Sequence, residues 1–110
     1  MNVRRFSLAG VLALLVLGSA PVWAEGDAAA GKLKTAMCQG CHGIEGFRVA
    51  YPAVYSVPML GGQSAPYIAA ALKAYRSGDR NNATMHAIAA DLTDQDIDDL
   101  AAYYSSNTKK

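Results

Sequence analysis

The chain has 110 residues, 52% of them hydrophobic and 17% charged, a composition that excludes a disordered or fibrous protein and sets a single globular domain as the expectation. Ten Lys and Arg against nine Asp and Glu give a formal charge of +1, without the basic excess that marks nucleic-acid binding.

In chain order, the first feature is Met1-Asn2-Val3-Arg4-Arg5, which is basic and is followed by an uncharged Leu-, Val- and Ala-rich run from Phe6 to Leu17. Small residues close it, from Gly18-Ser19-Ala20 to Val22-Trp23-Ala24, in the order of a secretory signal peptide cut after Ala24. A retained membrane anchor is the alternative, but spanning hydrocarbon takes roughly 20 apolar residues and this core has about a dozen. Residues 1–24 are therefore read as a cleaved signal and 25–110 as the working domain, exported to the periplasm and without stable membrane insertion. Removing Arg4 and Arg5 leaves eight Lys and Arg against nine Asp and Glu. A domain this small draws only ~3–5 kcal/mol from an unaided core, so a metal, a disulfide or a cofactor is expected to staple it.

Asp27 is placed to cap a helix over Ala28 to Met37, a run of good helix formers that ends at the cysteines. From Gly43 to Gln63, Gly43, Gly46, Pro52, Pro58, Gly61 and Gly62 interrupt the chain so often that a long functional loop is predicted. Ser64 with Pro66 opens a second helix, whose stripe of Ile68, Ala71, Leu72 and Tyr75 ends at Gly78. Residues 79–91 lack clear periodicity and are predicted as a loop with at most one helical turn. Thr93-Asp94-Gln95-Asp96 is a capping-box pattern before Ile97, Leu100, Ala101 and Tyr104, a third helix to about Ser105. The nearest approach to a strand, Arg48 to Val57, is broken by Pro52 and has no partner, so the class is all-α.

The chemistry is concentrated in Cys38-Gln39-Gly40-Cys41-His42. Two cysteines two residues apart serve a redox disulfide, half a zinc site or thioether attachment of haem. Zinc wants further ligands, and beyond this segment only His86 is available. A redox disulfide wants its first cysteine at the start of a helix after a strand, whereas a helix is predicted to precede this one. Haem attachment fits: Cys38 and Cys41 lie about one helical turn apart, matching two vinyl groups, and the next residue, His42, presents an imidazole to the iron. Export supports it independently, since c-type haem is attached outside the cytoplasm in bacteria. One such motif implies one haem c per chain, held through Cys38 and Cys41. Met37 neighbours Cys38 and cannot cross the ring, so Met59, Met85 and His86 stand as candidates for the sixth iron ligand.

Taken together, these residues resemble the small class I bacterial cytochromes c. The pattern is Gly26-Asp27 before a first helix, Cys38 to Gly43, Pro58-Met59-Leu60-Gly61-Gly62-Gln63, Tyr67, Leu72, Gly78-Asp79-Arg80, Met85 and the aromatic-ended Leu100 to Tyr104. The resemblance spans nearly all of residues 25–106 and implies three main helices and long loops wrapped around one haem. It assigns Met85 as the axial sulfur opposite His42, and it gives the Pro58 carbonyl a hydrogen bond from the second His42 ring nitrogen. Thr35 stands where the family often packs an aromatic between first and last helices; Gly31 against Tyr103 or Tyr104 is the expected substitute.

With His42 and Met85 both on iron there is no open position for substrate, so the expected role is that of a single-electron carrier rather than an enzyme. Its partners are expected to be redox proteins, a dehydrogenase or membrane complex as donor and an oxidase or reductase as acceptor, with the chain itself a monomer. The alternative is a haem subunit permanently bound to a dehydrogenase, for which Phe47, Tyr51, Tyr55 and Val57 would supply the buried patch. A sensor or peroxidase-like enzyme would need a missing sixth ligand, with His86 or Asn82 near open iron. Lys73, Arg76 and Arg80 are expected to flank the exposed haem edge, apart from the acidic run Asp91, Asp94, Asp96, Asp98 and Asp99.

Overall fold

The Asp27 carboxylate accepts hydrogen bonds from the backbone N–H groups of Ala29 (2.8 Å) and Ala30 (3.3 Å), which starts helix α1 (Ala28–Leu33) where the sequence places it. The computed structural model describes residues 26–51 and 54–107; the signal-peptide segment lies outside the described residues. The predicted single helix up to the cysteines is corrected to two. α1 stops at Leu33, and α2 (Ala36–His42) begins after Lys34 and Thr35 and runs through both cysteines to His42. The break has a local cause: the Thr35 hydroxyl turns back to the Lys32 carbonyl at 2.8 Å, in competition with continued helix. Lys34 is drawn aside to Asp96 (2.9 Å) and Asp99 (2.5 Å).

Two short strands, β1 (Arg48–Val49) and β2 (Tyr55–Ser56), pair antiparallel with Arg48 opposite Ser56 and Val49 opposite Tyr55. The segment thought to lack a partner therefore supplies its own, its two halves folding onto each other with a further bond from Val57 N–H to the Phe47 carbonyl at 2.9 Å.

Helix α3 (Ala65–Ser77) has the predicted ends: Ser64 caps it, Pro66 sits in its first turn, and Gly78 closes it at φ 89°, a left-handed position suited to glycine. Residues 79–91 correct the loop prediction. Asn82 caps helix α4 (Ala83–Ala90), its side chain accepting from Met85 N–H at 3.0 Å. α4 carries little amphipathic signal, which is why periodicity missed it; the asparagine cap before an alanine-rich run was the readable sign. Helix α5 (Asp94–Ser106) opens with a complete Thr93/Asp96 capping box.

The core forms where α5 meets α1 and α3. Ile97, Leu100, Ala101 and Tyr104 on α5 are buried, as is Ile68 on α3, and Cys38, Leu60, Leu72 and Leu92 pack around them. α1 lies so close to α5 that a Cβ on Gly31 would stand 2.0 Å from the Asp99 carbonyl oxygen and 2.9 Å from the Tyr103 Cβ. The Gly31–Tyr103 contact thus takes the place of the aromatic absent at Thr35. Asp99, 3% exposed, fastens this crossing by accepting from the Asp27 N–H and the Gln95 amide, both at 2.8 Å, and from Lys34.

Candidate functional site

The site is built on α2 and the loop that follows it. Cys38 and Cys41, three residues apart, are both half-buried free thiols, and His42 ends the helix. Cys38 packs against the α3–α5 core, and burial pushes its thiol above the usual range, an effect opposed by the Tyr104 hydroxyl beside it.

The loop returns to His42 because its end is tied to α5. The Gly62 N–H donates to the Tyr104 carbonyl at 2.9 Å, and Gly61 passes so close that a Cβ would meet the Asn107 carbonyl oxygen at 2.6 Å. Leu60 enters the core between them and the start of the turn. This tether sets the Pro58 carbonyl 2.6 Å from His42 Nδ1. A carbonyl only accepts, so Nδ1 carries the proton and Nε2 keeps its lone pair for a metal.

The other sequence-derived residues lie as follows. Met59, 45% exposed, lines a cavity of about 180 Å³ together with His42, Gln39, Gly43 and Tyr104, which puts it on the His42 side. Met85 is half-buried in the first turn of α4. His86 follows it, but its Nδ1 donates to the Tyr75 carbonyl at 2.8 Å, and it lines a different cavity, about 240 Å³, with Arg80, Asn81 and Asn82. The residues of the expected basic flank differ in how far they are engaged. Arg76 is half-buried and engaged by the Leu92 carbonyl (2.9 Å) and Asp94 (2.6 Å), and the Arg80 guanidinium lies 4.6 Å above the Tyr75 ring; Lys73 and Arg80 are both exposed.

Among the described residues no group of three or more His, Cys, Asp or Glu is placed to hold a metal ion. The residues do fit haem: two thiols and an imidazole with a free Nε2 share one short helix, and Tyr104 presents a buried hydroxyl at Cys38 without a hydrogen-bond partner in the protein. The sequence also matches the family model for cytochrome c over residues 28–108. The chain belongs to the cytochrome c family.

Named relatives show how this cytochrome c sits among others. It is 50% identical over 84 residues to cytochrome c-554(548) of Halomonas halodenitrificans, covering 74% of this chain and 96% of that one. It is 38% identical over 94 residues to cytochrome c4 of Pseudomonas aeruginosa, covering 84% of this chain but 45% of the relative, so that protein is about twice as long as the shared region. With the cytochrome subunit of sulfide dehydrogenase of Chlorobaculum tepidum it shares 30% identity over 80 residues, covering 73% and 68% of the two chains. As in the family, this cytochrome c carries one haem c attached through Cys38 and Cys41, and it transfers electrons. The haem supplies an iron that accepts and returns one electron without a change in the protein's covalent structure. The chain's own contribution is to orient His42 through Pro58 and to hold both sulfurs on one short helix.

Proposed function

We propose that this cytochrome c is an exported single-electron shuttle, cleaved after about Ala24 and working in the periplasm, with His42 Nε2 and the Met85 sulfur as the two axial iron ligands. The observation that carries the reading is the 2.6 Å bond between His42 Nδ1 and the Pro58 carbonyl, because it fixes the tautomer and ring orientation an axial imidazole needs. Met85 is preferred to the other two candidates on position. Met59 shares a cavity with His42, and His86 is engaged by Tyr75. A thioether opposite imidazole favours ferrous iron and leaves no site for substrate, which suits a carrier rather than a peroxidase or ligand sensor. No helix among the described residues is long and apolar enough to cross a membrane.

The test is optical. Ferric protein should show the long-wavelength sulfur-to-iron charge-transfer band, and Met85→Ala should abolish it while Met59→Ala leaves it in place; an unchanged band in Met85→Ala overturns the ligand assignment. Gel filtration of periplasmic protein should return a monomer.

A second reading, a haem subunit held by a dehydrogenase, is favoured by one feature of the surface. Tyr51 and Val54 are 88% and 66% exposed, and Tyr55 is exposed beside them, so part of the patch predicted from Phe47, Tyr51, Tyr55 and Val57 is open. Phe47 and Val57 are only half exposed within the small ladder. Copurification of a catalytic chain with the native protein would select this reading over the shuttle.

A further inference from the structure

Tyr104 is 4% exposed, and its hydroxyl is the one buried side-chain polar atom among the described residues that lacks a hydrogen-bond partner. Packing does not account for that oxygen. The ring meets Tyr103 edge-on at 5.1 Å and 70° and fills the core beside Ile68, Leu100 and Ala101, and a phenylalanine would do both. A buried hydroxyl without a partner is destabilising, so its presence asks for an acceptor. The neighbouring group is the Cys38 sulfur, itself packed on the same cluster.

We propose that Tyr104 is a positioning residue for the cofactor, its O–H donating a hydrogen bond to the Cys38 sulfur when that sulfur is a haem thioether. The inference rests on attachment of haem at Cys38. As free groups, the thiol and the phenol each carry a proton and either can donate. A thioether has no proton and can only accept, so attachment assigns the roles: Tyr104 donates and Cys38 accepts. Burial keeps the phenol protonated at all ordinary pH, so the donor is permanent. The bond ties the first thioether to α5 at the level of the Gly62–Tyr104 tether, so one residue braces both α2, by its side chain, and the Pro58 loop, by its carbonyl. An O–H dipole directed at the edge of the macrocycle also favours the added electron, and so the ferrous state.

The experiment is a double-mutant cycle on the holoprotein, read as reduction potential. Tyr104→Phe should lower the potential, changing the ferric-to-ferrous ratio at a fixed poise by about two- to threefold, the strength of a weak sulfur hydrogen bond. In a Cys38→Ala background, where haem hangs from Cys41 alone, the same substitution should have no effect. An equal shift in both backgrounds would mean that the hydroxyl acts by a route other than the Cys38 sulfur, and would overturn the proposal. Proton NMR of ferrous wild type is the second measurement and needs no variant: the Tyr104 hydroxyl proton should exchange slowly and show a cross-peak to the methyl group beside the Cys38 thioether. Exchange at the rate of water, or a cross-peak only to backbone, overturns the proposal. Intact mass separates the two claims, since wild type without haem on Cys38 defeats the attachment reading, whereas attached haem with an uncoupled Tyr104 defeats this inference alone.

Discussion

Helix α5 buries Ile97, Asp99, Leu100, Ala101 and Tyr104, whereas α2, whose Cys38 packs on the same core, has no buried residue. The contrast extends to their neighbours. α1 and α3 are pressed onto α5 by side chains and by a glycine crossing, while the segment from α2 through the β1–β2 ladder to Met59 leaves Met37, Ile44, Tyr51, Val54 and Tyr55 exposed. One half is held by its own side chains. The other is held by a few hydrogen-bonded tethers, the His42 ring to Pro58 and backbone bonds at Phe47–Val57 and Gly62–Tyr104, and by a covalent cofactor. Close packing and a buried carboxylate make the first half a platform, and the second half is where the chain spends residues on binding rather than on itself.

The largest effect should come from removing the attachment points. Cys38→Ser with Cys41→Ser should yield protein without a haem-stained band on a denaturing gel, and amide exchange in residues 36–63 should become far faster than in α5. Equal protection of the two regions would break the comparison. Next, the two halves should answer oppositely to the same chemical change. Gly31→Ala drives a methyl into the Asp99 carbonyl and should cost about 3 kcal/mol in denaturant unfolding. Gly40→Ala on α2 meets nothing within 4 Å and should be neutral or stabilising by up to ~1 kcal/mol.

A smaller, pH-dependent effect belongs to the platform alone. Lys34 holds the Asp99 and Asp96 carboxyls below their ordinary values, Asp96 at about 2, with the Asp27 and Thr93 N–H groups adding to the shift. A folded value below the unfolded one, about 3.9, means that the stabilisation is complete above that pH and is lost as pH falls toward about 2. The melting temperature of wild type should therefore drop steeply between about pH 4 and pH 2, and Lys34→Met should flatten that slope. The smallest change is expected from Arg80→Met, which removes the stacking on Tyr75 and should lower stability by about 0.5 kcal/mol.

What could be read in advance was local. The caps at Ser64 and Thr93 and the stop at Gly78 act within a few residues of themselves, so α3 and α5 fell where the sequence places them. The break at Lys34-Thr35 was not visible in this way. Thr35 turns back locally on Lys32, but Lys34 is also drawn to Asp96 and Asp99, more than sixty positions along the chain, which only the α1–α5 crossing brings to it. Helix α4 lay hidden because its stripe is weak and its support is α3. Arg76 looked like a free surface cation until the fold set Leu92 and Asp94 against it.

The sequence by itself determined the chemistry: five consecutive residues, Cys38 to His42, carry both sulfurs and the imidazole, because attachment to one ring requires ligands closer together than any tertiary rearrangement could guarantee. The tertiary structure decided the orientation of that chemistry. His42 Nδ1 finds the Pro58 carbonyl only because the loop is tied to the end of α5, and Tyr104 stands beside Cys38 only because Cys38 packs on the core where α3 meets α5. Covalent identity is local in the chain, whereas the direction of a lone pair or a hydroxyl is set by groups that the fold alone brings together.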